Sequence, residues 1–254
     1  MQAIITPLPD FPLVRRGDDI AALILERLEA TGIRLQDDDI LVIAHKIISK
    51  AEGRIVDLNT VNPSDEALRL AAVVQKDPRF IELVLQDSVE VLRTRPGLIV
   101  TEHRSGWVVA NAAIDRSNIR SEAGEERVAL LPLDPDRSAA ALRARLLEAT
   151  GMRVAIIIND THGRPFRVGA VGVAIGVAGL APVSDLRGQH DLFGYEMQTT
   201  EIATADEIAS AASILQGQTD QGCPVVHMRG IPFKRDENAT ARPLVRPKEL
   251  DMFR

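Results

Sequence analysis

Apolar and polar positions along the chain alternate between two rhythms. Short unbroken apolar runs, Ile40–Ala44 and Val154–Ile158, read as buried strands. Ala3–Thr6, Val89–Leu92, Leu98–Glu102, Trp107–Ala110, Val128–Leu131 and Pro224–His227 are further strand candidates, the last expected to be the final one. A spacing near 3.6 residues predicts helices elsewhere. One carries Ile20, Leu23, Ile24 and Leu28, capped by Asp18 or Asp19 and stopped by Gly32. A second follows Ser64 through Leu68, Leu70 and Val74, and a third spans Arg79 to Asp87. A fourth is capped by Asp136 or Ser138 and runs through Leu142 and Leu146 to Thr150. The fifth, Thr204 to Leu215, has Thr204 as its expected cap and Glu207 completing a capping box. HKIISKAEGR (His45 to Arg54) is a polar, basic segment after a strand. Strands and helices mix without regular alternation, so the expected class is α+β, with mixed sheets and packed helices.

The segment with the densest chemistry is VAIIINDTHGRPFRVGAVGVAIGVAGL, Val154 to Leu180. Its strand is expected to end in Asn159, Asp160 and Thr161, and Gly163 and Pro165 then force a turn that carries Arg164 and Arg167. Gly169, Gly172, Gly176 and Gly179 follow in a small-residue run suited to close backbone packing. An acid and a hydroxyl beside two guanidinium groups can hold a metal next to a phosphate. An Asx-type turn with surface arginines explains the same residues equally well.

Length and charge narrow the setting. The 254 residues suffice for one large domain or two modest ones. A net charge of −6, with one Trp and one Tyr, gives no footprint for nucleic acid. Any anionic ligand needs a local group of cations. Cys223 is the sole cysteine, which excludes a disulfide framework and fits the cytoplasm; it reads as a small buried filler. No signal peptide is expected, and the longest uncharged run, Val168 to Ser184, is 17 residues, short of the roughly 18 of a membrane span. The polar tail after Phe233 is expected to be loosely ordered.

Three other clusters can carry chemistry. His45, Lys46, Ser49 and Lys50 suit a polyphosphate, or form a solvated basic face. Asn111, Asp115 and Asn118 offer hard oxygen ligands for Mg²⁺ or Mn²⁺, or a turn. Gln216 to Gly222 is a glycine-flanked loop where Gln218 and Asp220 supply oxygens, or a plain helix-ending loop. The chain has no P-loop, no G-x-G-x-x-G, no G-x-S-x-G and no H-E-x-x-H. His162 is expected to point to solvent from a turn.

Six ordered blocks then identify a resemblance: SKAEGR (Ser49–Arg54), NAAIDRSN (Asn111–Asn118), NDTHGRPFRVG (Asn159–Gly169), AIGVAGL (Ala174–Leu180), DLRGQHDLFG (Asp185–Gly194) and ADEIASAASILQGQTDQGCPVV (Ala205–Val226). In this order they resemble the coenzyme F420-0:γ-glutamyl ligase family, over nearly all of residues 1–233; residues 234–254 form the tail. The resemblance implies a GTP-dependent ligation. The terminal carboxylate of F420-0 is activated as an acyl phosphate, the α-amine of L-glutamate attacks it, and later additions extend a γ-linked tail. It implies two Mg²⁺ or Mn²⁺ ions, with K⁺ as a further candidate. Asp115 and Asp160 resemble ligands of the first ion, and Thr161 and Gln218 those of the second. Phe11, Pro12, Leu13 and Val14, then His45, Lys46, Lys50 and Asn118, resemble GTP contacts. So does the loop Gln216, Gly217, Gln218, Thr219, Asp220, Gln221, Gly222 and Cys223. Relatives often have Glu at the position of Gln218, and smaller hydroxyl residues at those of His45 and Lys46. Asp160, Arg164 and Arg167 are the catalytic candidates, the arginines for phosphate or substrate carboxylate. An intertwined cytoplasmic homodimer is also implied. Some relatives carry a fused flavin-binding domain that this sequence lacks, so any reduction step is expected of another protein. The competing readings are a nucleotide- and metal-binding regulatory module without turnover, and a ligase for another carboxylate acceptor.

Overall fold

A computed structural model describes residues 2–252; the ends of the expected tail, Phe253 and Arg254, lie outside the described residues. In chain order the strands and helices are β1 (Ile4–Pro7), α1 (Ile20–Ala30), β2 (Ile40–Ala44), α2 (His45–Ala51), β3 (Ile55–Asp57), α3 (Asp65–Val74) and α4 (Pro78–Gln86). β4 (Ser88–Arg95), β5 (Leu98–His103), β6 (Val108–Ala110), β7 (Arg127–Ala129), α5 (Pro135–Thr150), β8 (Ala155–Gly163) and β9 (Ala170–Leu180) follow. β10 (Ser184–Asp185), β11 (Glu201–Ile202), α6 (Thr204–Gln216), β12 (Val225–Arg229) and β13 (Arg235–Asp236) complete the chain. The class is α+β, as expected.

A six-stranded sheet in the order β1-β12-β2-β8-β9-β13 forms the frame. Only β2 and β8 are parallel, in a register that sets Ile40 against Ala155 and Ala44 against Asn159. Both strands are buried on both faces, which is why they read as unbroken apolar runs. On one face Leu41, Ile43, Ile156 and Ile158 join α1 and α5 through Ile24, Leu28, Leu142 and Leu146. On the other, Ile40, Val42, Ile157 and Val226 meet Ile208, Ala209 and Ala212 of α6. The glycine-rich run is the strand β9, and its glycines admit the helices. A Cβ on Gly172 would lie 2.6 Å from the Ala209 carbonyl oxygen of α6, and one on Gly176 2.5 Å from that of Pro135, at the start of α5.

A smaller layer packs beside this sheet. The three-stranded β4-β5-β6 and the β3-β7 pair enclose a core of Leu58, Val74, Phe80, Ile81, Ile99 and Val128 with α3 and α4. Arg54 joins the layers, donating from Nε to the Leu131 carbonyl at 2.9 Å and from Nη2 to Asp87 at 3.0 Å.

Several expectations need correction. β8 does not end in Asn159, Asp160 and Thr161 but pairs with β9 as far as Gly163, past a register shift at Ile158/Asn159. The polar, basic segment, given no secondary structure from the sequence, begins as a helix, His45–Ala51. α5 is capped by Asp134, which accepts from Arg137 N; Asp136 instead receives the N–H groups of Val177 and Ala241. Thr204 does not cap α6: Ala203 holds that position, and the Thr204 hydroxyl lies 2.7 Å from that of Ser184. β12 is followed by a further strand, β13, which pairs with β9. The region after Phe233 is mostly exposed but anchored by that pairing and by Ala241, at 1% exposure.

Candidate active site

The parallel strands β2 and β8 end side by side, and a cavity of about 350 Å³ opens above them. Each side chain reaches it for a local reason. Ala44 is the last residue of β2 and N-caps α2, so His45, Lys46 and Lys50 of that helix enter the wall directly from the strand. β8 carries Asn159, Asp160 and Thr161 past the point where its apolar run stops. α6 ends at Gly217, whose φ of 68° and ψ of −178° belong to a backbone region open essentially to glycine alone. From there the loop to Cys223 covers one side.

Asp115 arrives by a strained route. Asn111, Ala112 and Ala113 have φ of 56°, 52° and 58°, three consecutive left-handed residues without a glycine. Such a turn costs roughly 1–2 kcal/mol per residue, and the small alanines keep it possible. Lys76 Nζ donates to Asn111 Oδ1 at 2.6 Å and the Ile114 N–H to the Asn111 carbonyl at 3.0 Å, which pin its start. Asn118 then donates to the Thr219 carbonyl at 2.9 Å, tying this segment to the α6 loop.

Asp160 is the most enclosed charge in the cavity, with its side chain 11% exposed. Burial alone would raise its carboxyl, but the imidazoles of His45 and His162 beside it outweigh that and hold it well below the usual carboxylate range. His162 Nε2 lies 3.0 Å from Asp160 Oδ2. His162 is therefore a buried strand residue, not a solvent-facing one, because β8 continues through it. The Asp115 carboxyl is also lowered. Burial pushes it up, while the Lys46 ammonium, 2.7 Å from Oδ2, and the Ser117 N–H push it further down. Burial and the neighbouring Lys46 lower the Lys50 ammonium, which has no carboxylate partner among the described residues.

A buried amide pair stiffens the floor. Gln216 donates from Nε2 to the carbonyls of Val42 and Pro224, each at 3.2 Å, so its Oε1 is left to accept from Asn159 Nδ2 at 3.0 Å. That chain fixes the Asn159 amide and leaves Oδ1 buried without a partner. Asn159 is the polar wall residue not selected as a site candidate, beside the apolar Ala44, Ile47 and Pro224; its position before Asp160 at the end of an apolar run was the available signal.

Phe11–Val14, His45, Lys46, Lys50, Asp115, Asn118, Asp160, Thr161, Gln216–Asp220, Gly222 and Cys223 all line this cavity. Gln221 does not; its Oε1 accepts from Thr219 N at 2.9 Å and shapes the loop. Cys223 is a half-buried wall residue rather than core filler, its thiol pushed up by burial and by Asp10. Arg164 and Arg167 sit on the β8–β9 turn outside the lining, Arg164 half-buried and Arg167 exposed.

The donor set fits divalent magnesium or manganese. Two carboxylates, the Thr161 hydroxyl and the Gln218 amide are hard oxygen donors, and Thr161 Oγ1 lies 3.2 Å from Gln218 Oε1. Among the described residues no three His, Cys, Asp or Glu side chains form a metal-holding group on their own. Phosphate oxygens and water would have to complete each coordination shell.

Residues 10–230 match the family model described as F420-0:Gamma-glutamyl ligase. The chain is 50% identical over 244 residues to the coenzyme F420:L-glutamate ligase of Methanothermobacter thermautotrophicus, covering 96% of this chain and 95% of the relative. It is 45% identical over 253 residues to that of Methanopyrus kandleri, covering 98% and 97%. With that of Archaeoglobus fulgidus it shares 42% over 254 residues, covering 100% and 97%.

Proposed function

The chain belongs to the F420-0:γ-glutamyl ligase family, and from that premise we propose that it joins L-glutamate to F420-0 at the expense of GTP. The observation that carries this reading is the convergence of Asp115, Asp160, Thr161, Gln218, Lys46 and Lys50 on one cavity, although they come from four distant stretches of chain. In the reaction a carboxylate oxygen of F420-0 attacks the γ-phosphorus of GTP, and the bond to the β-phosphate oxygen breaks to release GDP. The glutamate α-amine, having lost a proton, attacks the acyl carbon of the resulting acyl phosphate. An amide forms and inorganic phosphate leaves.

Charge is the main demand of that chemistry, since phosphoryl transfer is catalysed mostly by positioning and electrostatic stabilisation. Lys46 and Lys50 suit the polyphosphate, and Lys50 gains most because its ammonium is partly desolvated and unpaired among the described residues. The Lys46 ammonium now neutralises Asp115 and would turn to phosphate when a divalent ion takes that carboxylate. Bound Mg²⁺ or Mn²⁺ would neutralise charge on the transferred phosphoryl group. Asp115 and Asp160 would hold one ion, Thr161 and Gln218 the other. The Gln216–Cys223 loop and Phe11–Val14 suit the nucleoside, because Gly217 and Gly222 let backbone approach it closely. Arg167, exposed, and Arg164, which donates only a long 3.5 Å bond to the Gly169 carbonyl, suit the phosphate or carboxylates of F420-0. A homodimer would cover Leu192 and Phe193, which stand 97% and 96% exposed in a chain poor in aromatics; sedimentation velocity reads that state.

Mass spectrometry after incubation with F420-0, GTP, Mn²⁺ and L-glutamate tests the reaction. Products heavier by glutamate units, with release of one phosphate per addition, are expected; GTP hydrolysis without acceptor gain would overturn it. Asp160→Asn keeps the hydrogen-bond acceptor but removes the charge, and is expected to abolish ligation while circular dichroism stays native.

A further inference from the structure

His45 opens α2 immediately after β2, and the parallel register brings it beside Asp160. Its ring is 2% exposed, so burial and the contact of Nδ1 with Ser49 Oγ, 3.4 Å away and one turn on, fix its orientation. The other ring nitrogen is anomalous. Nε2 is buried and 3.3 Å from Asp160 Oδ1, within ion-pair distance but outside hydrogen-bond geometry. The second carboxylate oxygen of Asp160 does have an imidazole partner, His162 at 3.0 Å. One oxygen of the carboxylate is thus bonded and the other faces an unbonded nitrogen.

We propose that His45 Nε2 is a nitrogen ligand of the divalent ion held by Asp160, and that it biases this ion toward Mn²⁺ over Mg²⁺. The proposal rests on the two-ion reading above. Three features support it. When Nδ1–H points to Ser49 Oγ, Nε2 keeps a lone pair beside Asp160 that a cation bound to that carboxylate can accept. Adjacent ligands of an octahedral ion with bonds near 2.1 Å lie about 3 Å apart, close to the 3.3 Å found between Nε2 and Oδ1. Finally, an imidazole discriminates between ions. Mg²⁺ takes oxygen ligands and dehydrates reluctantly, whereas first-row transition ions accept nitrogen more readily. A hydroxyl residue at this position would offer only oxygen.

The test uses the intact protein with Mn²⁺ and GTP, without acceptor or glutamate, so that no turnover occurs. Pulsed electron paramagnetic resonance of the bound Mn²⁺ is compared between protein carrying ¹⁴N-histidine and ¹⁵N-histidine. A nitrogen modulation that changes with the isotope is expected in wild type, which needs no variant, and is expected to persist in His162→Gln and vanish in His45→Ser. The preference for Mn²⁺ over Mg²⁺, read by calorimetry with GTP present, should fall by about tenfold in His45→Ser. A modulation that survives His45→Ser, or its absence from wild type with Mn²⁺ bound, overturns the proposal and leaves the ligase reading intact. Failure of Mn²⁺ and GTP to bind at all overturns both.

Discussion

His103, at the end of β5, is 3% exposed, and its Nδ1 accepts the Ser105 N–H at 3.1 Å. Burial, only partly offset by Asp87, lowers its pKa to about 4. Between that value and the roughly 6.5 of an unfolded histidine, the unfolded chain binds the extra proton. Stability from this residue is therefore complete above about pH 6.5 and is lost as pH falls toward 4, by at most about 3 kcal/mol. His103→Asn keeps an acceptor for Ser105 without a titrating ring. Its urea midpoint should fall less between pH 7 and pH 5 than that of wild type; equal falls would remove His103 from the account. Burial of this kind is what residue-type reasoning could not see. Asp115, Asp160 and Thr161 stood out as candidates because oxygen-bearing residues stood where apolar runs stopped, but an ordinary turn explained them as well and only the family resemblance gave them metal roles. His162 was not, since its burial follows from the extra length of β8 and from Asp160, neither of which its neighbours announce. Cys223 failed for the opposite reason: a small apolar residue is normally core, and only the cavity makes it a wall.

Glycines show how one residue type serves two elements differently. In β9, a methyl at Gly172 would sit 2.6 Å from the Ala209 carbonyl oxygen and 2.8 Å from Ser213 Cβ, both on α6. Neither backbone nor helix can yield cheaply, so Gly172→Ala should cost roughly 1–3 kcal/mol and lower Tm by roughly 3–10 °C. Gly217 instead ends α6, and a Cβ there would first meet the Gln221 side chain, at 2.3 Å. Its backbone angles would strain any other residue by roughly 1–3 kcal/mol, but the exposed loop can relax. Gly217→Ala should leave Tm nearly unchanged and weaken GTP binding at least about tenfold, measured by calorimetry. A reversed pattern would mean that α6, not the loop, depends on Gly217. Local sequence placed α1, α3, α4, α5 and α6 well, because periodicity is a local signal, although the caps of α5 and α6 were misassigned. It missed α2, which has only 7 residues and is held by its junction with β2 rather than by a cap. β9 went unread as a strand because glycine argues against one, and only the helices on either side explain why glycine is needed there.

At the scale of the molecule, the cavity is built by sheet order. β12 lies between β1 and β2, and β8 between β2 and β9, so residues near 11, 45, 115, 160 and 218 meet although no local pattern links them. That convergence was out of reach of periodicity and came only through the ordered blocks that resemble the ligase family. It also has a thermodynamic consequence. A ligand that touches β2, α2, the 111–118 turn, β8 and the α6 loop binds only the folded chain, since unfolding scatters its contacts. At a concentration 100 times its Kd it should stabilise the native state by about 2.7 kcal/mol, a rise in Tm of roughly 5–10 °C for a chain of this size. Mn²⁺ with GTP should produce that rise, and the urea m-value should stay constant because the surface exposed on unfolding is the same. Asp160→Asn should lose most of the rise, because Asp160 is the carboxylate shared by β8, α2 through His45 and the proposed ion. A shift of equal size in wild type and Asp160→Asn would place the nucleotide elsewhere on the molecule, and the cavity above β2 and β8 would then need another ligand.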